Sequence, residues 1–285
     1  LNPTHYPNSY AFHNYPNDTN LHVITNYFCT ESEEDASDAL AWRNSTDMLQ
    51  EVETLITGQL EGKVMYVIPY LMGPPRSPFA KSGIQLTDSL QVVLHVRKLS
   101  RMGDVAWKAI GEHNDFLRGV HVTGNLALDQ RMVVHFPELN ACYTLNTDYG
   151  GYAYQCKGSF AMVMGSAQAV QESWLAEHMM ILGIENPSGE IHYIAGAFPG
   201  YCGKSNLAFL SPPLYAKGYR CFTVSDDSAW LHVGPDGSLW AINPDAGFYS
   251  VLSGTNKRTS PYAEKAIYEE VIFSNVAVDS DGHPW

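Results

Sequence analysis

The sequence predicts an α/β (mixed α+β) fold, and three features of its hydrophobic patterning support that class. A β-branched and aromatic run over 63–70 is followed by Met72-Gly73-Pro74-Pro75, which predicts a buried strand and then a turn. Apolar residues spaced by three and four positions over 167–178 predict an amphipathic helix. A glycine-bearing loop over 199–206 joins an apolar strand to a helix-compatible segment. Strands and helices therefore occur throughout the chain.

The remaining elements follow from the same patterning. Residues 1–20, rich in Pro, Asn and Tyr, predict an irregular arm laid on another part of the protein, and Glu31–Ile56 predicts one or two surface helices. The segment Gln91–Met102 is compatible with a strand or a helix. Apolar runs over 179–184 and 191–198 flank Asn186-Pro187-Ser188-Gly189, which predicts a hairpin. We expect a helix over 207–210 and a strand over 219–224.

Composition excludes several classes of function. The chain has 285 residues, with 17 basic and 30 acidic side chains and a formal net charge of −13. Such a chain offers no basic face for nucleic acid or for a membrane surface. Its longest apolar stretch, Val64–Gly73, is far shorter than the roughly 18 to 20 residues that span a bilayer. We therefore expect a soluble protein with no nucleic acid and no membrane as partner.

The cysteines indicate the compartment. There are five, widely spaced and without a CxxC pair, which favours free thiols over a disulfide framework. No secretory signal is visible at the N-terminus, so we expect a cytoplasmic protein. The chain begins without Met and stops just after the turn-like segment Asp279–Pro284. We expect it to be one section of a larger polypeptide.

The loop Gly203-Lys204-Ser205 has the side chains that a polyphosphate needs. Glycine allows close approach of the backbone, the lysine supplies an ammonium group, and the serine supplies a hydroxyl for a metal. The full GxxxxGK[ST] pattern is not met, because its first glycine would fall at Phe198. Phosphate binding and an ordinary strand-to-helix turn both remain open on this pattern alone.

Three further groups have both a functional and a structural interpretation. Asp226-Asp227 follows an apolar strand, where a carboxylate that holds a divalent cation is expected, but exposed aspartates before a turn are as compatible. His178 is either a metal ligand or a hydrogen-bonded core histidine. Tyr149-Gly150-Gly151 is either a turn or a set of backbone N–H groups for an anionic carboxylate. No HxH or HExxH spacing occurs, which argues against zinc.

Together these groups occur in an order that resembles the phosphoenolpyruvate carboxykinase family, in particular the branch that includes the GTP-dependent enzymes. The similarity runs from about Gly62 to Trp285, and residues 1–60 show no comparable segment. The segments that carry it are Met65-Tyr66-Val67-Ile68-Pro69, Gly83-Ile84-Gln85-Leu86-Thr87-Asp88-Ser89, Trp174-Leu175-Ala176-Glu177-His178-Met179, Ala197-Phe198-Pro199, Cys202-Gly203-Lys204-Ser205-Asn206-Leu207-Ala208 and Ala241-Ile242-Asn243-Pro244.

The resemblance implies an enzyme that interconverts oxaloacetate and phosphoenolpyruvate plus CO2 through an enolate stabilised by Mn2+. It implies a fold with a P-loop-containing mixed sheet. We expect residues 1–60 to be an N-terminal arm with helices, 61–172 to be part of an N-terminal substrate domain, and 173–285 to be the start of a phosphate- and metal-binding domain. The rest of the same polypeptide, or another fragment of it, would be a partner.

The resemblance also implies residue roles. Lys157, His178 and Asp227 would bind Mn2+, while Ser205 would bind a second Mg2+ or Mn2+ that accompanies the phosphoryl donor. Lys204, Cys202 and Asp226 would be catalytic. The substrate would be lined by Tyr149, Gly150 and Gly151, and the phosphates by Gly200, Tyr201, Cys202, Gly203, Lys204, Ser205 and Asn206.

The sequence departs from the family pattern at two positions. The GTP branch usually has two adjacent lysines before Cys-Phe, whereas here Cys156-Lys157-Gly158-Ser159-Phe160 supplies only Lys157, one place off in an ungapped alignment. Tyr201 replaces an alanine of the phosphate loop and adds bulk against a nucleoside. We therefore expect pyrophosphate as donor, with GTP as the alternative.

Parts of the family pattern are also missing. The family's substrate-binding arginine has no match in residues 1–60, and its Gly-Arg-Arg segment and guanine-stacking aromatics lie beyond the last residue. We expect these 285 residues alone to be poorly active. A hypothesis of another class is a non-catalytic regulatory paralogue that keeps the loop as a phosphate-binding site.

Overall fold

A computed structural model of the chain describes residues 1–16, 18–19, 24–199, 202–211, 215–251 and 256–284. It confirms the mixed α/β class. The α-helices are α1 (Ser45–Ile56), α2 (Leu90–Leu99), α3 (Asp104–His113), α4 (Gly165–Glu172), α5 (Lys204–Ala208) and α6 (Pro261–Ala266), and a π-helix spans Cys156–Met164. The strands are β1 (Tyr10–Phe12), β2 (Thr25–Thr30), β3 (Ala41–Asn44), β4 (Tyr66–Met72), β5 (Lys81–Thr87), β6 (Arg101–Met102), β7 (Leu117–Val122), β8 (Met132–Phe136), β9 (Ala141–Leu145), β10 (Leu175–Glu177), β11 (Met179–Glu185), β12 (Ile191–Ala197), β13 (Arg220–Ser225), β14 (Ala229–Val233), β15 (Leu239–Ile242) and β16 (Ile272–Ser274).

The chain forms two compact units. The first contains Asn14–Glu172, and the second contains Leu1–His13 together with Ser173–Trp285. The domain division expected from the sequence, at 60/61 and 172/173, stays a proposal. Among the described residues, no helix combines the length and the apolar character needed to cross a membrane.

The first unit is built on an eight-stranded mixed sheet in the order β3-β2-β8-β9-β7-β5-β4-β6. Its strand β4 confirms the strand predicted over 63–70. Helix α1 covers one face of this sheet, with Met48 and Val52 packed against Val134 and Phe136 of β8. The Asn44 side chain accepts a hydrogen bond from the backbone N–H of Asp47 (3.1 Å) and so caps the start of α1.

One segment of this unit differs from its predicted secondary structure, and a second segment, left open by the sequence, is now assigned. Within Glu31–Ile56 only α1 is a full helix, because residues 41–44 form β3, which pairs in parallel with β2. Trp42 reinforces that pairing by donating its indole N–H to the Thr30 hydroxyl at 3.0 Å. The segment 91–102, for which both structures were open, is mostly helix α2.

The helix predicted over 167–178 is wrong beyond Glu172. Ser173 has φ = +61°, a left-handed conformation that ends α4. The chain then continues extended as β10, which pairs antiparallel with β14. Trp174 packs on Trp230, with ring centroids 5.3 Å apart. Trp174 thus packs on a residue of the neighbouring strand, and His178 does not lie on a helix.

The described residues of the second unit form three small sheets, in the orders β10-β14-β15, β12-β11-β13 and β1-β16. The predicted hairpin is confirmed by the antiparallel pair β11–β12, and the strand predicted over 219–224 is confirmed as β13. The N-terminal arm contains a short strand, β1, which pairs in parallel with β16. Tyr6 of the arm stacks on Tyr268, with ring centroids 5.8 Å apart.

Candidate active site

A gap in the strand pairing of the second unit brings His178 and Asp227 together. Two stretches of chain run antiparallel, so that β10 pairs with β14 and β11 pairs with β13. The last pair on one side is Glu177 with Ala229, and the first on the other is Ile181 with Ser225. His178 and Asp227 both lie between these two pairs. There His178 Nε2 is 2.7 Å from Asp227 Oδ1.

Lys204 reaches the same carboxylate from the start of α5. Its Nζ donates to Asp227 Oδ1 at 2.7 Å and to the Asp227 carbonyl oxygen at 3.2 Å. The Lys204 side chain is only 10% exposed, so little water competes for these bonds. One carboxylate oxygen therefore contacts both an imidazole nitrogen and an ammonium group.

The placement of α5 results from local geometry and packing. The predicted helix over 207–210 starts earlier, at Lys204, because Gly203 adopts φ = +98° and turns the loop into the helix. Ala208 packs on Met180 and Leu182 of β11. The Thr223 hydroxyl of β13 donates to the Ala208 carbonyl at 2.6 Å. Strand β13 thus holds both α5 and, through its own end, Asp227.

The other residues of the predicted phosphate loop are arranged around Lys204. Cys202 and Asn206 are exposed and Ser205 is half-buried. The Cys202 backbone N–H donates to the Pro199 carbonyl at 3.3 Å. Gly200 and Tyr201 lie outside the described residues.

The two adjacent aspartates have different environments. Asp226 is fully buried, and its Oδ2 accepts a hydrogen bond from the Tyr249 backbone N–H at 3.1 Å. The Ser225 hydroxyl donates to the Ser228 carbonyl at 2.5 Å, which shapes the turn between β13 and β14. Asp226 therefore anchors the turn, while Asp227 presents its carboxylate to His178 and Lys204.

In the first unit, the predicted substrate loop, Tyr149-Gly150-Gly151, contacts the segment that carries Lys157. The Gly158 backbone N–H donates to the Gly151 carbonyl at 2.9 Å. A Cβ built on Gly151 would lie 3.7 Å from Lys157 Cγ, an ordinary contact distance. Gly150 has φ = +87° and forms the turn next to Tyr149. The structure thus brings Tyr149-Gly150-Gly151 and the buried Lys157 together.

The position after Lys157 has no room for a second lysine. A Cβ on Gly158 would lie 2.9 Å from the Gly151 carbonyl oxygen and 3.2 Å from Tyr152 Cδ1. Any side chain there would push the substrate loop away. Lys157 therefore supplies the only amine of the segment 156–160.

Asp18 anchors the residues just before Tyr149-Gly150-Gly151, and sequence reasoning missed it. Its carboxylate accepts hydrogen bonds from the Thr147 hydroxyl (2.7 Å) and from the Asp148 backbone N–H (3.0 Å), and lies 3.4 Å from Arg131 Nη2. No motif marks an aspartate 129 residues away from its partner Thr147. The contact is visible only in the folded chain.

Asp148 gives a prediction about stability and pH. Burial first, and then the charges of Asp18 and Asp88, raise the pKa of Asp148 from 3.8 to about 6. The folded protein holds the proton of the Asp148 carboxyl more tightly than the unfolded chain does. The stability that protonated Asp148 contributes is therefore fully present below pH 3.8 and is lost as the pH rises through about 6. We expect Asp148→Asn to raise the free energy of unfolding at pH 7.5 by an amount on the order of 2 kcal/mol and to change it little at pH 3.5.

Denaturant unfolding of both proteins at the two pH values measures this effect. Asp38→Asn, at an exposed position, is the matched control and should shift neither value. Equal effects of Asp148→Asn at both pH values would show that Asp148 is ionised without cost in the folded protein.

The fold and the site together define a class of protein: a mixed α/β protein whose phosphate loop points a lysine at a histidine–carboxylate pair. Comparison with known families makes this specific. The model of the phosphoenolpyruvate carboxykinase N-terminal domain matches residues 1–170, and that of the phosphoenolpyruvate carboxykinase C-terminal P-loop domain matches residues 174–285. The chain belongs to the phosphoenolpyruvate carboxykinase family. The first match includes residues 1–60, for which the sequence alone showed no resemblance.

Individual relatives agree with the family assignment. Proteins named phosphoenolpyruvate carboxykinase (GTP) are 39% identical in Anaeromyxobacter dehalogenans, 37% in Corynebacterium jeikeium and 37% in Chlamydia caviae. These matches cover 100%, 98% and 100% of this chain and 48%, 48% and 49% of the relatives. The chain thus spans about half the length of the curated relatives that it matches.

The site contains two side chains of types that ligate metal ions, His178 and Asp227. Within the described part of the chain, no group of three or more His, Cys, Asp and Glu side chains is arranged to hold a metal ion. His178 and Asp227 nevertheless present an imidazole nitrogen and a carboxylate oxygen at the same point, a combination that suits a divalent cation. These two side chains fit a divalent cation that takes its remaining ligands from elsewhere.

Proposed function

We propose that the protein encoded by the complete open reading frame that contains this chain interconverts oxaloacetate and phosphoenolpyruvate plus CO2. The observation that carries the proposal is the contact of His178 and Lys204 with one oxygen of Asp227. The names of the relatives support the same activity. The five free cysteines support a reducing compartment, and we propose the cytoplasm.

Lys157, His178 and Asp227 would hold Mn2+ in this proposal. The ion would supply positive charge where the substrate oxygen becomes negative as CO2 leaves. Asp226 would act through the turn that it anchors, because it is buried behind Asp227. Lys157 must present a neutral amine in order to bind metal.

The phosphate loop would bind the phosphoryl donor. Lys204 supplies an ammonium group, Ser205 supplies a hydroxyl for a second Mg2+ or Mn2+, and Cys202, Gly203 and Asn206 complete the described part of the loop. Gly200 and Tyr201 belong to the same proposal by sequence. Lys204 would neutralise negative charge on the phosphates during the transfer. The remaining catalytic effect would come mainly from positioning the donor and the acceptor for the reaction.

The substrate would be lined by Tyr149, Gly150 and Gly151. The positive φ of Gly150 forms a turn of the kind in which backbone N–H groups can converge on an anion, which suits an anionic carboxylate. Because Gly151 lies beside Lys157, a carboxylate bound at this turn would lie next to Lys157, the proposed metal ligand of the same unit.

Two phosphoryl donors are candidates, and GTP is the first because the relatives are named as GTP enzymes. Pyrophosphate is the second, and Tyr201, which adds a phenol to the phosphate loop, is the observation that favours it. The test is formation of oxaloacetate from phosphoenolpyruvate and CO2 with Mn2+ and either GDP or inorganic phosphate as acceptor. We expect turnover with GDP, whereas turnover with phosphate alone would establish pyrophosphate chemistry. No turnover with either would contradict the carboxykinase proposal.

A further inference from the structure

The segment that carries Lys157 has an unusual backbone. Cys156–Met164 is a π-helix, and the Phe160 backbone N–H donates to the carbonyl of Gln155, five residues earlier, at 2.7 Å. Most π-helical segments are single turns inside α-helices and are frequent at functional sites. A sparsely populated backbone conformation persists only where its surroundings determine it strongly. The contacts that hold this π-helix therefore matter for the site.

Two buried glutamines fix the point where the π-helix begins. The Gln85 side chain donates to the Ala153 carbonyl at 2.8 Å and accepts from the Gln155 backbone N–H at 3.2 Å. The Gln155 amide donates to the Val120 carbonyl at 2.9 Å and to the Thr144 hydroxyl at 3.0 Å. Residues 153–155 are thus attached to the large sheet immediately before Lys157.

A second contact holds the first turn of the π-helix itself. His135 Nδ1 is 3.0 Å from the Tyr27 carbonyl, and His135 Nε2 is 3.0 Å from the Ser159 hydroxyl. Because a carbonyl only accepts, Nδ1 carries the proton, so the Ser159 hydroxyl donates to the bare Nε2. Burial lowers the pKa of His135 from 6.5 to about 4, which keeps the imidazole neutral and this bond intact.

The hydrogen bond between His135 and Ser159 lies close to the contact between the substrate loop and the segment that carries Lys157. Ser159 is two residues after Lys157 and directly follows Gly158, whose N–H is bonded to the Gly151 carbonyl. His135 also packs edge-on against Tyr152, with ring centroids 6.4 Å apart. One imidazole therefore contacts both Tyr152, the residue that follows the substrate loop, and the turn that carries the amine.

We propose that His135 and Ser159 are positioning residues that hold the first turn of the π-helix, and with it the amine of Lys157, against the substrate loop. This inference rests on the proposed function for the role of Lys157 as a metal ligand. Without the bond, the turn gains freedom to relax towards an α-helix, which shifts Lys157 relative to Gly151.

The test uses the protein from the complete open reading frame and two independent variants. Ser159→Ala removes the hydroxyl without adding volume. His135→Asn keeps a donor for the Tyr27 carbonyl but is too short to reach Ser159, whereas His135→Gln places its amide where Nε2 lies. Val52→Ala is the control, because Val52 packs on Val134 from the opposite face of the strand that carries His135.

Two readouts are measured. The first is amide hydrogen exchange at Gly158 and Phe160, and the second is the dissociation constant for Mn2+ from the electron paramagnetic resonance of the free ion. We expect Ser159→Ala and His135→Asn to speed exchange about tenfold and to weaken Mn2+ binding about tenfold. His135→Gln should stay near the wild type, and Val52→Ala should change neither readout more than twofold at a matched loss of melting temperature.

The outcomes separate the inference from the proposed function. Unchanged exchange in Ser159→Ala, or equal effects of Val52→Ala, would overturn the positioning role. If the wild type lacks carboxykinase activity, the proposed function fails, yet the exchange measurement still decides whether His135 and Ser159 hold the turn. Faster exchange with unchanged Mn2+ affinity would overturn the link to Lys157.

Discussion

Replacement of Asp227 with asparagine is expected to lower kcat/KM for oxaloacetate formation by about 10²- to 10³-fold in the protein from the complete open reading frame. The Oδ1 atom of Asp227 meets His178 Nε2 and Lys204 Nζ, both at 2.7 Å. An amide retains the size of the side chain and one hydrogen bond, but it removes the negative charge that a divalent cation and an ammonium group require. Steady-state kinetics over a Mn2+ series, with thermal unfolding of each sample, measure this effect.

The matched control is Asp236→Asn, which makes the same change of charge in an exposed turn of the same unit. Its activity should stay within twofold of the wild type. The Asp227→Asn variant also discriminates between an enzyme and a regulatory paralogue. If Asp227→Asn weakens Mn2+ binding but no turnover exists in the wild type to lose, the chain belongs to a non-catalytic member of the family.

Local patterns predicted the elements that have their own apolar run and their own turn residues. The β11–β12 hairpin and the strand β13 followed from apolar runs bounded by turn residues, and the structure confirms them. The order of loop, lysine and aspartate pair also identified the family, which the comparisons confirm. Short-range chemistry was sufficient in these cases, since each segment carries its own turn signals.

Elements that depend on distant partners were not predictable in this way. The stretch after Glu172 has helical spacing but forms β10, because its pairing partner, β14, lies about fifty residues further along the chain. Strand β3 was missed as well, since it forms through parallel pairing with β2 and not through a pattern of its own. The π-helix around Lys157 depends on contacts from four strands of the sheet, β5, β7, β8 and β9. The contact between His178 and Asp227 results from the pairing of β10 with β14, which the helical spacing of the sequence did not predict.

The second large effect is expected at Lys204, and it should separate metal binding from phosphoryl transfer. Lys204→Met removes the ammonium group that would neutralise the transferred phosphoryl group, so we expect kcat to fall by about 10³-fold and the KM of the donor to rise. The same change leaves Asp227 Oδ1 without its bond to Lys204 at 2.7 Å. Because the ammonium group and a cation compete for this oxygen, Mn2+ should bind the variant at least as tightly as the wild type.

This split is the opposite of the one expected for Asp227→Asn, which loses metal affinity and turnover together. Lys217→Met, at an exposed lysine of the same unit, is the control for the loss of one positive charge. Mn2+ titration and steady-state kinetics on the three variants measure both quantities. Weaker Mn2+ binding in Lys204→Met would mean that Lys204 orients Asp227 for the cation and does not compete with it. Unchanged kcat would show that the phosphate loop is not where the donor reacts.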